Sequence, residues 1–203
     1  MSRYPPSPWQ LHGHAYVGLW LVPRGRLPRP RAPGTRAITV GGYGLVAAAF
    51  VRYTAPSPLE YDEVMTTVLV RRRWRPAVSI THIWVDSPAS RDGGRELWGI
   101  PKEIAAFEVV PHRAYAASEH GRPIARVRPG EEVRMLPWRL PLALSVSQCW
   151  AGRTLRTPVR GTARLGLVRG GWAVPADGAA GFLAGRRPLV TLAVRDFRLS
   201  FGR

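Results

Sequence analysis

Proline and glycine recur so often along this chain that long helices have little room. Among its 203 residues are 20 prolines and 21 glycines, and the segments between them are short, apolar or alternating, which is the pattern of β-strands closed off by turns. The spacing predicts strands over 14–22, 45–54, 64–72, 78–85, 106–110, 113–117, 124–127, 140–150, 164–168 and 189–201. Strict alternation over 77–85 would turn Val78, Ile80, His82 and Trp84 to one face and Ser79, Thr81, Ile83 and Val85 to the other. Both faces are then partly apolar, as expected of a strand held between a core and a second layer. Helix is scarce. One short helix is expected over 89–98, interrupted at Gly93-Gly94, and another over 177–184 with Asp177 as N-cap and Gly185 as its stop. No internal repeat is visible. The expected fold is a β-rich (α+β) single domain over 1–203, a largely antiparallel sheet that curls or closes, with few short helices. Residues 1–7 are expected to form a flexible N-terminal extension.

At 45% apolar and 21% charged residues the chain can bury a sizeable core. The N-terminal run MSRYPPSPWQ lacks the apolar stretch of a secretory signal, and the longest apolar segment, near Tyr43 to Val51, is too short to span a bilayer. A cytoplasmic protein without a membrane partner is the expectation. Cys149 is the only cysteine, which excludes an intrachain disulfide, a cysteine zinc site and a CxxC redox pair. It is expected to be a buried structural residue.

The formal net charge of +17 raises nucleic acid as a partner. The densest cluster is Arg71-Arg72-Arg73-Trp74-Arg75, and a second basic run over 23–36 reads as an extended loop rich in Pro and Gly. Neither has the character of a recognition helix, and no zinc-finger, RRM or KH signature accompanies them. Specific nucleic-acid binding is therefore not expected.

The basic residues are more informative one by one. Of the 30, only Lys102 is lysine, and asparagine is absent from the chain. A GC-rich coding bias explains both, since arginine replaces lysine wherever a surface charge suffices. Arginine cannot replace lysine where a neutral amine must react, because the guanidinium stays protonated. Lys102 follows Ile100-Pro101 and precedes Ile104, Ala105, Ala106 and Phe107, surroundings able to desolvate an ammonium. For a nucleophile near neutral pH the amine must fall from roughly 10.4 to about 7, which costs about 4 kcal/mol, supplied by burial or a neighbouring cation. An ordinary exposed loop lysine is the competing reading of the same local sequence.

The run GRELWGIPKEIA, residues 94–105, resembles the Schiff-base lysine motif of the acetoacetate decarboxylase-like superfamily, in which Gly-Arg-Glu is followed at fixed spacing by Pro-Lys. Residues 53–63, YTAPSPLEYDE, are similar to that family's Y…SP…Y-x-E segment. THIWVDS, residues 81–87, resembles the strand leading into the lysine motif, and PWQLHGHAY, residues 8–16, looks like its opening strand. The likeness covers residues 8 to about 110 and loosens beyond.

This resemblance implies a lyase in which Lys102 attacks a substrate ketone and forms an imine. Glu63 then matches an active-site carboxylate that orients substrate or moves a proton. Arg95 and Glu96 belong to the motif, either as substrate contacts or as a pair tying the loop down. No metal or organic cofactor is implied, because the iminium is itself the electron sink. A small keto acid is the implied substrate, arginines near the site would favour it, and a homo-oligomer is the implied assembly. Two departures bear on the reaction. Glu103 stands where the decarboxylase has a second lysine, and a carboxylate pointing inward there would oppose activation, so Glu103 is expected to face away while burial lowers the amine. His14 stands where the family has an arginine; it can bind a carboxylate only when protonated, or act as an acid–base group. The alternatives to β-keto acid decarboxylation are an imine-dependent aldolase, dehydratase or cyclase, and a noncatalytic small-molecule binder of the same fold.

Overall fold

Apolar residues on both faces of a strand require a layer on each side, and the computed structural model, which describes residues 3–203, supplies both. Thirteen strands are joined in one sheet: β1 (Trp9–Pro23), β2 (Arg36–Ala37), β3 (Thr39–Val40), β4 (Tyr43–Tyr53), β5 (Tyr61–Arg72), β6 (Arg75–Val85), β7 (Lys102–Ile104), β8 (Ala106–Val110), β9 (Ala114–Glu119), β10 (Arg122–Met135), β11 (Leu140–Trp150), β12 (Arg153–Ala173) and β13 (Val190–Phe201). A single α-helix, α1 (Pro88–Trp98), lies between β6 and β7. All ten strands expected from the sequence are present, several of them longer than expected. The short strands β2, β3 and β7 were not foreseen.

The main path runs β11-β6-β5-β4-β1-β13-β12-β10-β9-β8, and β11 pairs in addition with β12. That second pairing joins Leu140–Trp150 to Arg153–Ala163, so seven strands succeed one another around a common interior. The junction of β11 with β6 is slight, a single parallel bridge of Val146 to Val78. Gln148, 1% exposed, extends it: its Nε2 donates to the Ile80 carbonyl at 2.9 Å, and its Oε1 accepts from Ser79 Oγ at 3.3 Å. The far half of β12 pairs with β10, and β8–β10 fold over the outer face of the sheet.

The inner face gathers Trp9, Leu11, Tyr53, Tyr61, Ile83 and Trp98 into one core. Outside, Tyr16, Phe50, Val64 and Trp84 pack against Tyr115 and Val127 from the β8–β10 layer, while Trp20, Val46, Val68 and Leu183 form a third cluster. Each large side chain so buried contributes about 1.5–3 kcal/mol.

Two expectations are corrected. Strict alternation over 77–85 fails, because the pairing with β5 steps from Thr67–Ile80 to Thr66–His82 and leaves Thr81 as an extra residue. Val78 and Ile80 face inward, and beyond the bulge so do Ile83 and Val85, while His82 and Trp84 face outward. The expected helix over 177–184 is only a 3-10 turn, Gly181–Leu183, since two glycines in so short a run weaken helix formation. Of the stretch expected as a flexible extension, residues 1 and 2 lie outside the described residues; in the rest Tyr4 donates to Glu96 Oε2 at 2.6 Å, Trp9 Nε1 to the Pro5 carbonyl at 2.8 Å, and Ser7 Oγ to the Arg203 carbonyl at 2.9 Å.

Candidate active site

Strand β6 delivers the chain to the site. Asp86, just past its end, accepts the Asp62 N–H at 2.9 Å, and Ser87 caps α1 by accepting the Ser90 N–H at 3.2 Å with Pro88 at the first turn. The helix then runs unbroken through Gly93-Gly94, where an interruption was expected, because those glycines serve close packing. A Cβ on Gly94 would lie 2.8 Å from Lys102 Cδ, so the lysine stem passes directly over that position. Gly99 ends the helix in the left-handed region at φ 64°, and a Cβ there would lie 2.2 Å from the Cys149 carbonyl. The chain reverses, the Ile100 N–H returns to the Gly94 carbonyl at 3.0 Å, and β7 pairs parallel to β6 with Lys102 beside Ile83.

Lys102 is 4% exposed at one end of an interior cavity of about 310 Å³. Its Nζ lies 2.8 Å from Glu63 Oε2 and donates to Ser90 Oγ at 2.8 Å and to Tyr61 OH at 3.2 Å. Tyr53 OH donates to the other Glu63 oxygen at 3.1 Å. The ammonium also stands 4.9 Å from the Tyr61 ring centroid and 6.0 Å from that of Trp9. Glu63 and Tyr61 share a face of β5 because they are two residues apart.

Burial pulls the Lys102 amine down, but the Glu63 carboxylate and Tyr61 outweigh it, and the balance raises the amine above its ordinary value. The expectation that desolvation alone lowers it is thus corrected: the resting lysine is an ammonium paired to a carboxylate. The same carboxylate and burial push the Tyr53 hydroxyl well up, and burial raises Tyr61, so both phenols stay protonated.

The structure brings Lys102 and Glu63 together and leaves the other sequence candidates outside. His14 sits on β1 with parity opposite to the cavity-lining Leu11 and Val17. Its Nδ1 accepts the Asp196 N–H at 3.2 Å, and burial lowers its pKa against the partial opposition of Asp196, so it is a neutral ring away from the site. Arg95 does not reach the cavity either. It donates from Nε to the Lys102 carbonyl at 2.7 Å and pairs with Glu103 at 2.5 Å, fixing the loop from outside, and Glu103 faces away. Glu96 accepts from Tyr4 on the exposed side of α1. No arginine among the described residues lines the cavity, so the expected cationic lining is absent. Sequence reasoning passed over Ser90 and gave no role to Tyr53 and Tyr61, the two tyrosines of the family segment. Tyr61 was detectable from its spacing to Glu63, whereas Ser90 reaches Lys102 only through the reversal at Gly99. No group of three or more His, Cys, Asp or Glu gathers in a metal-binding arrangement among the described residues, and none of their helices is long and apolar enough to cross a membrane.

A sequence profile described as acetoacetate decarboxylase (ADC) matches residues 36–143, more than half of the chain, a span that holds Tyr53, Tyr61, Glu63, Ser90 and Lys102. The chain belongs to the acetoacetate decarboxylase family. Solved structures of similar fold include acetoacetate decarboxylase from Legionella pneumophila, at 17% identity and TM-score 0.71, covering 99% of this chain and 86% of that one. The enduracididine biosynthesis enzyme MppR, complexed with the condensation product of pyruvate and imidazole 4-carboxaldehyde, gives 17% identity and TM-score 0.67 over 99% of this chain and 90% of its own. An acetoacetate decarboxylase-like enzyme from Sphingomonas wittichii gives 15% and 0.63, covering 98% of this chain and 92% of that one. No curated protein sequence matches the chain. At these identities the structures establish the acetoacetate decarboxylase-like fold and leave the reaction to the site's own chemistry.

Proposed function

We propose that the protein is a Schiff-base-forming carbon–carbon lyase that decarboxylates a β-keto acid through an imine on Lys102. The observation that carries this reading is the buried Lys102–Glu63 pair at 2.8 Å, opening onto an otherwise apolar cavity. Two opposite charges persist there only while their solvation and hydrogen bonds hold them. A substrate filling the cavity excludes water, and within the pair the proton then moves from Nζ to Glu63, leaving amine and carboxylic acid.

The neutral amine adds to the ketone carbon, and the carbonyl oxygen takes up a proton to give a carbinolamine. Glu63, now the acid, protonates that hydroxyl; water leaves and an iminium forms. The bond from the α-carbon to the carboxylate breaks with its electron pair passing into the iminium, giving CO2 and an enamine. A proton returned to carbon and hydrolysis of the imine release ketone and Lys102. A carboxylate in an apolar site favours this step, because its charge cancels that of the iminium as the bond breaks. Tyr53 and Tyr61 hold Glu63 and Lys102 in register throughout.

The pairing of Glu63 with the amine also suits the second reading, in which the enamine is captured by another carbonyl carbon in an aldol or cyclisation step. The test is CO2 release from 3-oxo acids by wild type and Lys102→Arg, run in parallel with deuterium uptake by ketones in D2O. Release by wild type alone supports decarboxylation. Deuterium uptake without CO2 release assigns the enamine to the second reading, and neither signal, with no adduct on Lys102, contradicts the imine altogether. A soluble cytoplasmic homo-oligomer acting without a metal or organic cofactor completes the proposal.

A further inference from the structure

The cavity is long, and its ionisable groups are confined to one end. Along β5 the residues Tyr61, Glu63, Met65 and Thr67 line it in succession, and from Glu63 to Thr67 the strand advances by about 13 Å. Lys102, Glu63, Tyr53 and Tyr61 form the closed floor, each no more than 9% exposed. Beyond them the polar side-chain groups among the lining residues are the Thr67 hydroxyl and the indole N–H groups of Trp9 and Trp98, none of them charged. Ala47 and Ala49 on β4 keep the interior wide where a larger side chain would fill it. At the far end Leu144, 45% exposed, also lines the cavity and marks its mouth. Two residues onward on the same faces the sequence places Leu19, Leu45 and Leu69, so the apolar path continues past the mouth.

A small keto acid uses only the floor of such a site. We propose, resting on the imine reading above, that the substrate is a carbonyl compound with an extended apolar tail, a medium-chain ketone or 3-oxo acid. It enters carbonyl first and is bound with its tail running from Lys102 toward Leu144. The lining offers no cation to a charged group along that path, and each methylene laid in it leaves water for a preformed apolar surface.

The experiment is borohydride trapping of wild type with a homologous series, acetone, 2-pentanone, 2-heptanone and 2-nonanone, with intact mass reporting the half-saturating concentration for each. The expected result is a fall of about fourfold per added methylene until the tail reaches the mouth, then a plateau. A flat series, or one best at acetone, overturns the apolar-tail proposal and leaves the imine reading standing. No adduct with any member at any concentration overturns the imine reading itself. In Ala47→Phe, checked for folding by its thermal midpoint, the plateau is expected at a shorter chain. An unchanged series in that variant places the tail elsewhere and overturns the proposal; should the variant not fold, the wild-type series decides alone.

Discussion

Two buried cations sit in this sheet, and they differ in almost everything but charge. Lys102 pairs with Glu63 on the inner face, both nearly without exposure, and the pair borders a cavity. Arg195, 7% exposed, lies on the outer face: its Nε donates to Glu132 Oε1 at 2.8 Å, its Nη2 donates to Tyr16 OH at 2.5 Å, and its guanidinium stands 4.7 Å from the Tyr16 ring centroid. Glu132 belongs to β10, so this contact pins the overlying layer to β1 and β13. A guanidinium cannot give up its proton, and Arg195 does not line the Lys102 cavity, so it serves as a clamp. The ammonium can give up its proton, has a carboxylate within reach to accept it, and faces space for a substrate. On the proposed reading, reactivity follows from a titratable cation beside apolar space, while burial of charge by itself marks only architecture.

Substitutions at the two pairs sharpen this contrast. Lys102→Met is expected to abolish adduct formation with any ketone under borohydride, a complete loss read by intact mass. Glu63→Gln is expected to slow adduct formation by about 100-fold or more, the usual worth of a positioned acid–base group. With the carboxylate gone, the burial that pulls Lys102 down is less opposed, so the pH midpoint for trapping moves lower. A midpoint that stays in place or rises would break the assignment of Glu63 as the group holding the amine up. Arg195→Met is expected to cost about 2–3 kcal/mol of stability in urea unfolding, as for hydrogen bonds to a charged group, because Glu132, one-third exposed, can turn to water. Trapping by the folded variant should stay within about twofold of wild type. A large loss would mean the outer clamp is coupled to the site.

The smallest expected effect concerns histidine. Burial lowers both His14 and His82, so the unfolded chain binds protons more readily than the folded one. Their contribution to stability is therefore present above about 6.5 and lost as pH falls through the lower folded values. The thermal midpoint should decline as pH drops below about 6.5, and His82→Gln should reduce that decline.

Much of the fold was legible because the strands carry their signal on two faces. Leu140–Trp150 was read with its observed ends, and β4, β5 and β6 were each read to within a few residues. The bulge at Thr81 was not legible, since threonine and histidine suit either face and only the register with β5 selects one. In the site, Lys102 stood out through composition and Glu63 through its spacing in the family motif. His14 misled because it aligns with an arginine of the family's opening strand, while strand parity turns its ring away from Leu11. Arg95 misled in another way: its place in the motif is explained by its bond to the Lys102 carbonyl, a positioning role that residue type alone does not disclose.

The most direct test of the central claim is intact mass after borohydride reduction in the presence of 2-heptanone, compared between wild type and Lys102→Arg. Lys102 is the only lysine, so one side-chain amine is available. The account predicts one adduct on wild type and none on the variant; equal labelling of both would place the reaction on the α-amine and contradict it.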